Sequence, residues 1–223
     1  MLWTIFATTT LMSVMSCGSS APFKQGDLAG LLEDMERKAQ LVSQFQVRFV
    51  KTRSVSAFDR ELKVNGRLVF QKPARMSLSL TGDVNVEILS DGRCIKIIHD
   101  GTDEETFKLR GDRDMTKFAD PLMLLINSVG DGGLRDLAVL KTVEGHDSRM
   151  VQIDPSNDSR FERIQTIFLW LSDYGEIGRV RIVFTDGGTD DTVFESWSVL
   201  SDDAPEIREL NYKLRTVLAG PAG

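Results

Sequence analysis

A chain of 223 residues, 41% hydrophobic and 27% charged, is long enough to bury one sizeable core and has the composition of a globular protein. Its formal charge of -6 argues against nucleic acid as a partner, since phosphate contacts need a basic face. Two histidines, His99 and His146, and two cysteines are too few and too scattered for a metal-ligand spacing, so neither metal nor cofactor is expected.

The first sixteen residues, "MLWTIFATTTLMSVMS", carry no charge and end in small residues. That fits the core and cleavage region of a secretory signal better than a spanning helix. Such a signal normally opens with Lys or Arg; here either the true start lies upstream of Met1 or the signal is atypical. "VMSC" has the pattern of a bacterial lipobox, with Val14 three residues before Cys17 and the small Ser16 at the scissile position. Cys17 is therefore the candidate lipidation site. A plain exposed thiol and a disulfide with Cys94 are the other readings of it. No aspartate follows Cys17, which points to the outer membrane in enteric-type bacteria, and "GSSAPFKQG" reads as a flexible tether. The expected organisation is a signal over 1–16, a lipidated N-terminus and tether over 17–26, and one domain over 27–218.

From Asp27 to Phe45, Leu28, Leu31, Leu32, Met35, Ala39 and Val42 recur at helical spacing, with Asp27 as a plausible N-cap. The period then becomes two: Phe45, Val47, Phe49; Gly66, Leu68, Phe70; Met76, Leu78, Leu80; Val84, Val86, Ile88; Ile95, Ile97; Phe107, Leu109. Turn signals stand between the runs, "NG" at 65–66, "TGD" at 81–83, "SDG" at 90–92, "HDG" at 99–101 and "RGD" at 110–112, so an antiparallel meander is expected. "FADPLMLLINSVGDGG" interrupts it with a short apolar helical segment that Pro121 suits as a first turn. More strands follow: "RMVQID", "TIFLWLS", "RVRIVFT", "DTVFESWSVL" and "RELNYKLR", with turns at "DYGEIG" and "TDGGTD". In "TIFLWL", Ile167, Leu169 and Leu171 point one way and Phe168 and Trp170 the other. Either the strand is covered on both faces, or a curved sheet wraps an apolar interior.

Acidic pairs are scattered among turns with no nucleophile or histidine beside them, and neither a G-x-S-x-G elbow nor a phosphate loop is present. No enzymatic activity is expected.

"SQFQVRFVKTR", then "VNGRLVFQKPARMSLSL", then "VEILSDGRCIKII", resembles the outer-membrane lipoprotein carrier family, LolA, over roughly residues 28 to 200. "DPLMLLINS" is similar to that family's second lid helix and "LSDYGEIGRVRIVFTDG" to its late hairpin. The resemblance implies a mainly β fold with α: an open, strongly curved antiparallel half-barrel, closed by short helices over an apolar cavity that holds acyl chains. It implies strand residues Phe49, Leu68, Phe70, Met76, Leu78 and Leu169 in that cavity. Leu122, Met123, Leu125 and Ile126 fall on the lid. Lys72, before Pro73, stands where the family has an arginine that bonds the lid and helps hold the cavity shut. The implied function is accepting or carrying the acyl chains of lipoproteins between inner and outer membrane, without catalysis. Its partners would be acylated lipoproteins or lipids, an inner-membrane lipoprotein-release complex, and the membrane itself through the N-terminal anchor. The implied location is the periplasmic face of a Gram-negative-type envelope. The family's soluble carriers have no anchor, so Cys17 suggests a receptor such as the structurally related LolB proteins. The alternative is an anchored scaffold that keeps the fold and binds no lipid.

Overall fold

The computed structural model describes residues 28–55, 60–108, 138–142, 150–155, 161–171 and 176–218. Eleven strands form one sheet: β1 Gln44–Val55, β2 Arg60–Gln71, β3 Arg75–Gly82, β4 Val86–Ser90, β5 Cys94–His99, β6 Asp103–Lys108, β7 Ala138–Thr142, β8 Met150–Pro155, β9 Ile164–Leu171, β10 Ile177–Phe184 and β11 Thr189–Val199. Their spatial order is β6-β5-β4-β3-β2-β1-β11-β10-β9-β8-β7, and the pairings are antiparallel. The first and last strands in sequence, β1 and β11, therefore meet in the middle. The chain leaves the sheet at one edge, β6, and re-enters at the other, β7.

Side-chain alternation sorts the sheet into two faces. The inner face carries one apolar cluster running from Met76 and Leu78 on β3, through β2, β1, β10 and β9, to Val151 and Ile153 on β8. Seven strands at about 4.8 Å spacing span roughly 29 Å. Helix α1, Leu28–Leu41, places Met35 and Ala39 on this cluster, but a helix is only about 10 Å wide. It cannot by itself bury a face of that breadth, so the sheet must bend its inner face onto itself. This is the open, curved antiparallel half-barrel that the resemblance implies. Bulges locate part of the bending: pairing shifts between Arg48 and Phe49 on β1 and at both ends of β10.

The outer face is covered on the β2–β5 side by α2, Pro205–Lys213, and a π turn, Leu214–Leu218. Ile207, Leu210 and Leu214 pack on Val69, Leu89 and Ile98. The "MSLSL" alternation behaves as expected, since Met76, Leu78 and Leu80 belong to the inner cluster while Ser77 and Ser79 lie under α2. Lys213 ties the helix down, donating to Glu87 Oε1 at 2.6 Å with Glu209 Oε1 at 3.2 Å. Arg67 joins the sheet to the same helix through Glu209.

Three sequence expectations need correction. "RELNYKLR" is not a strand but lies in α2 and the π turn, since Ile207, Leu210 and Leu214 recur at helical spacing behind Pro205 at the helix start. "NG" at 65–66 is not a hairpin turn: Asn65 and Gly66 sit inside β2, opposite Val50 and Phe49 on one side and Thr81 and Leu80 on the other. The first helix ends at Leu41 rather than near Phe45, because Gln44 and Phe45 are already paired with Gln71 and Phe70. The segments holding Cys17, His146, the "RGD" turn and the "DPLMLLINS" helix lie outside the described residues.

Candidate functional site

Six of the residues assigned to the cavity, Phe49, Leu68, Phe70, Met76, Leu78 and Leu169, come together in the single inner-face cluster. Each is buried, and Leu68 and Leu169 are wholly closed to solvent. Pro73 does not join them; it is exposed in the turn between β2 and β3, after a cis bond from Lys72. Leu122, Met123, Leu125 and Ile126 lie outside the described residues.

Lys72 bonds the end of α1. Its Nζ donates to the carbonyl of Ala39 at 2.8 Å and of Gln40 at 3.3 Å, while its backbone N–H donates to Ser43 O at 2.8 Å. The ammonium thus satisfies carbonyls that the end of α1 leaves without helical partners, at the negative end of the helix dipole. The helix fixed in this way is α1, which lies on the inner face.

Beside that helix end the inner face is aromatic and partly open. Phe45 stacks near Phe70 (5.3 Å between centroids) and Trp197 (5.7 Å), and Phe194 touches both Trp197 (5.1 Å) and Phe49 (6.1 Å). Trp197 is 38% exposed, Val199 54% and Leu41, at the end of α1, 82%. The indole is held in place by Nε1 donating to Ile177 O at 3.2 Å. Strict alternation would put Phe194 and Trp197 on opposite faces. A bulge prevents this: Arg48 pairs with Ser196 but Phe49 with Phe194, so Glu195 is the extra residue and both rings reach the inner face.

Gly66 belongs to this arrangement. The Phe49 ring lies over it so closely that a Cβ there would stand 2.1 Å from Phe49 Cζ. The glycine makes room for an aromatic ring across the strand pair.

Farther along β1 the same face turns polar. Lys51 Nζ stands 2.8 Å from Asp190 Oδ2, and both side chains are buried, at 8% and 1% exposure. Arg53 Nε is 3.6 Å from Asp190 Oδ1, and its guanidinium lies 5.3 Å above the Phe184 ring. Composition and spacing gave no sign of this pair, because its partners lie on strands far apart in sequence.

Charged groups elsewhere are engaged structurally. Arg179 and Arg181 both donate to Asp191 on the outer face. Partial burial pushes the Asp191 carboxyl up, but these two guanidinium groups outweigh it and hold it below the usual carboxylate range. Arg179 also covers the Trp170 ring at 4.7 Å. Phe168 and Trp170 are half-buried on the outer face, Trp170 under Arg179. Cys94 is a free thiol that burial and the neighbouring Asp91 carboxylate push up, which favours the unreactive protonated form.

No family model matches the chain, and no curated protein matches it. Among solved structures it is similar to LprF from Mycobacterium bovis, at 16% identity over 77% of this chain and 95% of that one, with a TM-score of 0.43. A LolA superfamily protein from Nitrosomonas europaea is 12% identical over 80% of this chain and 95% of its own, with a TM-score of 0.43. A chain of the Pseudomonas aeruginosa MucA/MucB complex is 16% identical over 82% of this chain but 59% of its own, with a TM-score of 0.44. With TM-scores below 0.5, none of these says what this chain binds.

Proposed function

We propose that this protein binds acyl chains of lipids or lipoproteins on its inner face, without catalysis, at the periplasmic side of a bacterial envelope, anchored through Cys17. The observation that carries this reading is the continuous apolar face, which Phe45 and Phe194 extend to the partly exposed Trp197, with Val199, paired to Phe45, also exposed. Each acyl methylene moved from water to such a surface contributes about 0.8 kcal/mol, so an apolar receiver is what a lipoprotein needs in order to leave a membrane. As an anchored protein it would act as a receptor for lipoproteins handed over from an inner-membrane release complex, not as a shuttle.

The test is calorimetric titration of the full chain, purified without detergent, with a triacylated lipopeptide and its deacylated twin. Saturable one-to-one binding of the acylated form alone is expected, weakened by Trp197→Ala and, at unchanged thermal stability, by Val199→Lys. Binding of neither peptide overturns the proposal.

A second reading, an anchored scaffold that uses its outer surfaces, is favoured by one observation: Val47, Leu68, Leu169 and Val180 have no exposure at all. An interior filled by its own side chains would leave the acyl probe unbound.

A further inference from the structure

The inner face is polarised along β1, and we infer that its basic end receives the anionic head of a single-chain amphiphile whose tail lies toward the aromatic rim. This rests on the acyl-binding reading above and names the class of ligand.

Residues 45, 47, 49, 51 and 53 of β1 alternate onto the inner face, so the sequence of side chains along it is Phe, Val, Phe, Lys, Arg. The register adds Arg60 of β2, which pairs with Val55, at the same end and on the same side. Across β11 that end contributes Thr192, opposite Lys51, and Asp190, opposite Arg53. Among the described strand residues of β1, β2, β10 and β11 on this stretch of face, three basic side chains meet one carboxylate. Asp186, in the adjoining hairpin turn, accepts the Gly188 N–H at 2.9 Å. Among the described strand residues this end is therefore net cationic, within a chain whose overall charge is -6.

The burial gradient says which cation is offered. Asp190 is closed to water and paired with Lys51, whose Nζ stands 2.8 Å from Oδ2. Arg53 lies farther from it, at 3.6 Å, is 46% exposed, and stands over the Phe184 ring with its guanidinium carbon 5.3 Å from the centroid. A half-exposed planar guanidinium beside an aromatic ring suits a carboxylate or phosphate. Length agrees as well. The eight residue steps from Phe45 to Arg53 cover roughly 26 Å of strand, whereas one acyl chain occupies about 15 Å, half the hydrocarbon thickness of a bilayer.

The experiment compares laurate with its uncharged glycerol monoester, both below their micellar concentrations, by calorimetry on the full chain at pH 8. Laurate should bind about tenfold more tightly at low salt and lose that advantage at high salt. Arg53→Gln should remove the preference while leaving the monoester's affinity unchanged, and Arg53→Lys should retain part of it. Arg60→Gln gives a second exposed site whose loss should reduce the preference further. Equal binding of the two ligands, or a preference that survives in Arg53→Gln, overturns the head-group assignment while sparing the acyl-binding reading. Failure of both ligands to bind overturns both.

Discussion

Replacing Gly66 by alanine should destabilise the fold by about 2–3 kcal/mol, although the change adds one methyl group to a strand. The new Cβ would stand 2.1, 2.2 and 2.6 Å from Cζ, Cε2 and Cε1 of Phe49, where carbon atoms normally rest about 3.5–4.0 Å apart. The ring must therefore retreat by more than about 1 Å. It has no free space to retreat into: Phe49 is buried, with Phe194 edge-on at 6.1 Å. Overpacking of this kind costs about 1–3 kcal/mol, and complete eviction of the ring is bounded by the roughly 3–5 kcal/mol of a buried Phe→Ala change. Alanine's lower chain entropy returns at most about 1 kcal/mol. Urea unfolding followed by fluorescence should show a midpoint lowered by about 1 M at unchanged slope. The decisive comparison is a double-mutant cycle. Phe49→Ala alone should cost about 3–5 kcal/mol, yet Gly66→Ala added to it should be neutral or stabilising, because the clash has gone. Equal costs for Gly66→Ala in both backgrounds would refute the steric account and point to backbone strain at Gly66 instead.

Lys72→Met should cost about 1 kcal/mol and speed hydrogen exchange in the last turn of α1, while Lys72→Arg keeps the donors and restores protection; unchanged exchange in Lys72→Met would remove the helix-end role. Lys51→Met should cost about 3–5 kcal/mol by leaving the buried Asp190 with only the more distant, half-exposed Arg53, and adding Asp190→Leu should recover most of it. If the double variant is no more stable than the single one, the loss comes from packing and not from charge. Asp191 has a folded-state pKa below its unfolded value, so its contribution is present above the ordinary carboxylate range near 3.9 and is lost as pH falls through the lower, folded value. Stability measured from pH 6 down to pH 2 should therefore fall less steeply in Asp191→Asn than in the parent chain; parallel curves would contradict the assignment.

The strand pattern was largely legible, and for a simple reason. A half-buried sheet writes its inner face into the sequence at period two, and "MSLSL" or "VRFVK" can be read without knowing which strands pair. The inner-face residues were legible for the same reason, and so was the position of Lys72 ahead of Pro73, although not the helix end it serves. Two errors came from local signals that tertiary packing overrides. Asn65-Gly66 has the chemistry of a hairpin turn, yet the glycine's service is to the Phe49 ring across the strand. "RELNYKLR" alternates well enough to pass for a strand if Pro205 and Ile207 are left out of the window. Including them exposes the helical spacing Ile207, Leu210, Leu214 that fixes α2 on the outer face.

The rim and the polar end were illegible for a different reason, which lies in register. Phe194 and Trp197 are three residues apart, so alternation sends them to opposite faces; one extra residue, Glu195, brings them together. No feature of "VFESWSV" marks where that residue is inserted, because the bulge is decided by how β11 meets β1, not by β11 alone. Register also sets Lys51 beside Asp190, which are 139 positions apart in the chain. A buried ion pair gains little stability over an apolar replacement of the same shape, since desolvation offsets most of the attraction. Its presence on an otherwise apolar face is therefore poorly explained by stability alone. The face is better understood as two-ended, with aromatic groups gathered by a bulge at one end and cations gathered by register at the other. On the proposed acyl-binding reading, that asymmetry would give a bound amphiphile one preferred direction, which a uniformly apolar groove could not impose.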